Sequence, residues 1–154
     1  MTICYKLTDK SQNTHSDTHW TPGEWREVEY TGVLCSGGVL HCYDSPEDAV
    51  FFDLIHARLL PDGLLWEAEY EGPSTSDGTK RGVGRMRVLR QIDPQEMTTE
   101  QRVERAIRAA KTVCEDPDWN RWADGWLSGE DRSAEAARAW AARAAARAVK
   151  ETTK

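Results

Sequence analysis

The sequence predicts an α+β fold: an N-terminal antiparallel sheet with one helix, followed by a three-helix C-terminal block. Three observations lead there. Residues 64–71 (LLWEAEYE) alternate, with Trp66, Ala68 and Tyr70 on one side and Glu67, Glu69 and Glu71 on the other, the period of a half-buried strand. Residues 103–127 instead space their apolar side chains three and four apart, the helical period. Between these patterns stands Asp93-Pro94, where the change of character places a boundary. The expected division is an acidic sheet domain over residues 1–97 and a helical block over 98–154. The block either packs on the sheet as one domain or stands apart.

Residues 3–7 (ICYKL) suit a short first strand, and the polar stretch 8–24, ending in Thr21-Pro22-Gly23, reads as a long loop. Residues 24–34 alternate, with Val28 and Tyr30 opposite Glu27 and Glu29. Gly37-Gly38 between residues 33–35 and 39–43 signals a hairpin. A helix then opens at Ser45-Pro46-Glu47-Asp48. Ser45 suits the N-cap, Pro46 the first helical position, and Asp48 closes a capping box. This helix should bury Ala49, Phe52 and Ile55 or His56, and stop near Pro61-Asp62-Gly63.

After the strand at 64–71, residues 72–84 are rich in Gly, Ser and Asp and read as a turn region. Residues 85–92 resume a strand, with Met86 and Val88 opposite Arg85 and Arg87. The apolar Leu89 beside Val88 breaks that alternation and predicts a bulge or burial on both sides. Thr98-Thr99-Glu100-Gln101 is a second capping box, and Asp116-Pro117 starts a helix striped with Trp119, Trp122, Ala123, Trp126 and Leu127. Ser128-Gly129 ends it. A last helix, about 133–150, is mostly Ala and Arg around Trp140, and Ala gives it high intrinsic helicity.

The chain has 154 residues, seven Trp and a net charge of -6, with a mean hydropathy of -0.69. Such a length buries a sizeable core. No run of about 18 apolar residues is present, so no membrane partner is expected. The first residues lack a basic segment followed by an apolar one, so cytoplasmic residence is expected. Residues 1–97 hold 9 Lys and Arg against 16 Asp and Glu, while residues 98–154 hold 11 against 10. That acidity argues against direct nucleic-acid binding. The four Cys are expected to stay reduced.

Four features could carry chemistry. Cys35 and Cys42 flank His41 across a turn, and Cys4 or His56 could complete a metal set. Without the paired CxxC knuckles, small core cysteines are the simpler expectation, and no metal or cofactor is expected. His15, Asp17 and His19 share the polar loop; solvated side chains are the simpler expectation there too. Glu67, Glu69 and Glu71 on one strand, with Glu27 and Glu29 on another, would make a five-carboxylate face if those strands are neighbours. Arg85 and Arg87 are placed to neutralise it; otherwise it is a docking surface for a basic partner. Finally, Trp119, Trp122 and Trp126 are core or interface, and Arg138, Arg143, Arg147 and Lys150 make the last helix basic. No phosphate-binding Gly loop, GxSxG elbow or HExxH helix occurs.

Residues 35–52 (CSGGVLHCYDSPEDAVFF), then LLWEAEYEG and DGTKRGVGRMRVLRQI, resemble a group of small phage- and prophage-encoded proteins over about residues 24–92. That resemblance implies an origin in a mobile element. Residues 43–49 followed by 65–70 are similar to the strand–helix–strand core of ADP-ribosyltransferase-like domains. This second resemblance implies a site around Tyr5, His41, Tyr43 and Ser45. The first strand offers Tyr5 and Lys6 where those enzymes carry His or Arg, so the implied enzyme is a degenerate one.

The resulting expectation is a phage-type accessory protein without a catalytic set. It would bind and inhibit a host protein with a basic surface, such as a defence effector of the CRISPR kind. Glu27, Glu29, Glu67, Glu69, Glu71, Trp119 and Trp126 are the expected contacts. The alternatives are the ADP-ribosyltransferase-like enzyme and a self-assembling subunit, for which the small-residue last helix suits a homodimer.

Overall fold

The architecture comes from a computed structural model that describes residues 1–15, 18–60 and 62–133. In chain order the elements are β1 (Thr2–Thr8), β2 (Asn13–Thr14), β3 (Thr18–His19), β4 (Arg26–Glu27), β5 (Leu40–Cys42), α1 (Pro46–His56), β6 (Leu64–Ser76), β7 (Arg81–Ile92), α2 (Thr99–Lys111) and α3 (Pro117–Ser128). The chain is mixed α and β, with antiparallel strand pairs preceding two of its three described helices. It divides into two compact units, residues 1–105 and 106–154, the division falling within α2. The expected last helix, with Trp140, Arg138, Arg143, Arg147 and Lys150, lies outside the described residues.

In the first unit the sheet runs β1-β6-β7, and both β4 and β5 pair with the far edge of β7. The sheet then curls back on itself. Tyr43, just after β5, exchanges two 2.9 Å backbone hydrogen bonds with Tyr5 of β1. That bridge occupies the middle of the outer edge of β1, which would otherwise offer a pairing template. Cys4, Trp20, Cys42, Trp66, Ala68, Tyr70, Val83, Met86 and Val88 form the buried cluster. α1 packs against β1 and β6.

Local chemistry explains the helices. The Ser45 hydroxyl accepts from the Asp48 N–H at 3.0 Å, and Ala49 and Phe52 are fully buried. Side chains of Leu54 and Ile55 lie outside the described set. The buried Asp53 carboxylate accepts from the N–H groups of Leu59 and Leu60 at 2.8 and 3.0 Å, binding the turn that follows the helix. Thr98 and Gln101 make the reciprocal bonds of a capping box. Asp116 caps α3, and Gly129 closes it in the left-handed region at φ 86°. In the second unit Ile107, Ala123 and Trp126 form a small core, with Trp119, Trp122 and Leu127 packed against it.

The β region departs from expectation in four places. The stretch 8–24 is not wholly a loop: β2 and β3 pair, the Asp9 carboxylate accepts from Ser11 and Asn13, and Trp20 is buried. Burial of that indole outweighs the polarity around it. The strand expected at 24–34 is reduced to Arg26–Glu27 plus a Val28 N–H bond to Gly84. Residues 33–35 do not form a hairpin with 39–43. Residues 34–38 turn instead, and β5 takes β7 as its partner. The turn expected over 72–84 shrinks to 77–80, because Gly72 (φ 82°) and Pro73 lie at a register irregularity within β6. A bulge tolerates a Pro that a regular ladder would not. Of the two alternatives expected at Leu89, a bulge or burial on both sides, the register shows the bulge: Glu67 faces Arg90 while Ala68 faces Val88.

Candidate functional site

Two groups of side chains in the first unit combine position with chemistry. The first lies on the sheet face opposite Trp66, Ala68 and Tyr70. Antiparallel register sets Glu67 against Arg90, Glu69 against Arg87 and Glu71 against Arg85. Each pair closes as an ion pair. Arg90 grips Glu67 with two nitrogens at 2.7 and 3.1 Å. Arg87 Nε donates to Glu69 at 2.6 Å, and Arg85 donates to Glu71. Glu27, directly across from Arg85 on β4, adds a fourth carboxylate at 3.8 Å. Trp25 lies over this ladder, its ring 4.5 Å from the Arg85 guanidinium and 4.7 Å from that of Arg87, within cation–π range.

Four of the five expected carboxylates are thus brought together, and strand pairing is the reason. Glu29 is exposed beyond the end of β4 and no ion pair of it is described. The face is not a bare acidic surface, because three guanidiniums offset four carboxylates. In the second unit Trp126 is only 6% exposed, and Trp119 is half-buried with its ring 6.0 Å from Trp122.

The second group gathers where the 34–38 turn, β5 and the 77–80 turn meet. Cys35 is exposed, has φ 60°, and donates its N–H to His41 Nε2 at 3.1 Å. Lys80 Nζ lies 2.9 Å from Cys35 Sγ. Asp77 accepts the N–H groups of Thr79 and Lys80 at 2.8 and 3.0 Å, which fixes the turn carrying the amine. His56 stacks on Tyr43 and Phe52, with ring centroids 6.2 and 5.8 Å away.

Burial, reinforced by the charges of Lys6 and Lys80, pushes the His41 pKa down to about 4. Its ring is therefore neutral near pH 7, as an acceptor of the Cys35 N–H must be. Burial also lowers His56. Lys6 is in the interior: its Nζ donates to the His41 carbonyl at 2.7 Å and sits 5.0 Å from the Trp20 ring centroid. Burial pushes its pKa down to about 8.

The fold divides the Cys and His side chains that the sequence had placed together as metal-ligand candidates. Cys35 and His41 meet at the surface. Cys42 points inward and lies with Cys4 in the core, where Cys4 donates to Met86 Sδ at 3.6 Å. Contact with Cys42 and burial push the Cys4 thiol upward. All four cysteines are free thiols. Among the described residues no three His, Cys, Asp or Glu side chains converge as a metal cage. His15 and His19 are exposed, His19 bonding Asn13 at 3.0 Å, and Asp17 lies outside the described residues.

Of the residues implied by the ADP-ribosyltransferase resemblance, Tyr5 and Tyr43 close the sheet and Ser45 caps α1. Ser45 also receives a 3.3 Å bond from Arg105, which pairs with Asp48 at 2.8 Å. Trp25 was not singled out in the sequence, and Lys6 and Lys80 stood out there only through the two resemblances. Each matters through a partner that is distant in the chain, at His41, Arg85 and Cys35 respectively.

Compared with protein-family models, curated proteins and solved structures, the chain shows no significant match to any.

Proposed function

We propose that this chain works by binding another protein, and that the Trp25 ladder face is the contact surface. One observation carries the reading: an indole within cation–π distance of two guanidiniums that are themselves paired to Glu69 and Glu71. Trp and Arg are the side chains that most often dominate binding energy at interfaces. Mutual pairing holds the charges in place before a partner arrives, which lowers the entropy cost of docking. With acid and base nearly balanced there, the face would select a partner by the pattern of charge, not by bulk attraction.

The partner we propose is a host protein with a basic surface, and the consequence is inhibition of that protein. The host partner and its inhibition rest on the resemblance of residues 24–92 to phage-encoded proteins, and the basic surface on the excess of one carboxylate over the guanidiniums of the ladder. Tagged chain in a bacterial host lysate should retain one protein near stoichiometric yield. Trp25→Ala and Arg87→Glu, each checked for retained fold by circular dichroism, should lose it. Recovery of bait alone, or a partner kept by both variants, would defeat the proposal. Catalytic consumption of NAD at substoichiometric amounts would favour the enzyme instead.

A further inference from the structure

We propose that Cys35 and Lys80 form a peroxide-responsive pair, in which oxidation of the thiol leads to a covalent S–N bond between the two side chains. The inference is independent of the protein-binding reading and rests on different residues. Three features of the geometry support it. The sulfur and the amine nitrogen are already 2.9 Å apart, though 45 positions separate them in the chain. Cys35 is exposed, so a small oxidant reaches it, while Cys4 and Cys42 are buried. Both atoms ride on turns held by hydrogen bonds: the Cys35 N–H to His41 Nε2, and the Thr79 and Lys80 N–H groups to Asp77. Pre-positioning of this kind converts an encounter between two groups into an intramolecular step.

The chemistry balances with hydrogen peroxide as the named oxidant. The sulfur attacks one peroxide oxygen, the O–O bond breaks, and the products are Cys35 sulfenic acid and water. The unprotonated Lys80 amine then attacks the sulfenyl sulfur. An S–N bond forms, the S–O bond breaks, and the hydroxyl leaves as water with the proton released by nitrogen. The net change is the loss of two hydrogens from the protein and the reduction of one peroxide to two waters. Added dithiol reverses it by attack on sulfur, returning the thiol and the amine. The bond would tie the 34–38 turn to the 77–80 turn, and so staple the entry of β5 to the entry of β7, its partner in the sheet.

The test uses the full chain, treated with peroxide at mildly alkaline pH, alkylated, and mapped with trypsin without reduction. Mapping is required because Cys4 and Cys42 lie side by side, and a bond between them would give the same intact mass. The expected result is a peptide joining Cys35 to Lys80, loss of cleavage after Lys80, and restoration of both by dithiol. Lys80→Arg, whose guanidinium is a poor nucleophile, should still oxidise at Cys35 but form no joined peptide; Cys35→Ser should do neither. Cys114, half-buried, is the internal reference. Oxidation of Cys35 no faster than Cys114, or oxidised Cys35 with Lys80 still cleaved and unmodified, would overturn the proposal. The wild-type map decides the question even if a variant fails to fold.

Discussion

Replacing Lys6 by Met should make the protein's stability respond differently to pH, and the size of that change follows from where the ammonium sits. Lys6 is enclosed with Cys4, Cys42 and Trp20, and His41 supplies a single carbonyl acceptor. Burial disfavours its charged form and takes the pKa from 10.5 to about 8 in the folded chain. Below pH 8 the lysine is protonated folded and unfolded, and the cost of burying the charge is fully present. Between about pH 8 and 10.5 the unfolded chain binds the extra proton, so stability rises with pH. At about 1.4 kcal/mol per pH unit, the full rise is roughly 3 kcal/mol.

Lys6→Met removes the titration and leaves the His41 carbonyl without its donor, an offset of about 1 kcal/mol that does not depend on pH. Urea unfolding followed by Trp fluorescence, run on both proteins from pH 7 to the alkaline limit, isolates the effect. Groups that do not touch Lys6 contribute alike to both proteins and cancel in the difference. The wild type should gain on the variant by about 3 kcal/mol across that window. A difference that is flat with pH would refute the reasoning. A difference of opposite sign would mean that the folded protein favours the ammonium.

Three further outcomes test other parts of the structure. Glu69→Gln should cost about 1–2 kcal/mol and Glu67→Gln no more than about 1 in thermal unfolding, because the Glu69 side chain is 12% exposed against 25% for Glu67; equal effects would mean the ladder is uniformly solvated. His41 has a folded pKa near 4, so its contribution to stability should fade as pH drops from about 6.5 towards 4, and His41→Gln should flatten that acid limb in calorimetry; since the ring is half-exposed, solvent screening keeps the effect modest. At Gly63 a Cβ would come 2.5 Å from the Thr8 carbonyl and 2.8 Å from that of Leu59, so Gly63→Ala should cost about 1–3 kcal/mol. An unchanged melting temperature there would show that the two segments part without penalty.

What the residues determine on their own is local. Ser45, Thr98 and Asp116 lie beside the helices they cap, and Gly129 beside the one it ends, so those signals act within a few positions. The alternation of 64–71 and the misfit of Leu89 likewise express the strand's own geometry. What tertiary structure decided depends on closure and register. In β1 the polar Lys6 and Thr8 are buried with Cys4 and Leu7, while the apolar Ile3 is 49% exposed. Curling of the sheet until Tyr43 meets Tyr5 sets that orientation. β5 could pair with its neighbours in the chain or with β7, and only the assembled sheet selects β7. That choice sends Cys42 inward, brings Cys35 to His41 and Lys80, and separates a metal set that the sequence left together. The carboxylates were legible as one face of a strand. Whether they stood bare or paired with arginine depended on the residues opposite, which a one-position slip in register would have changed.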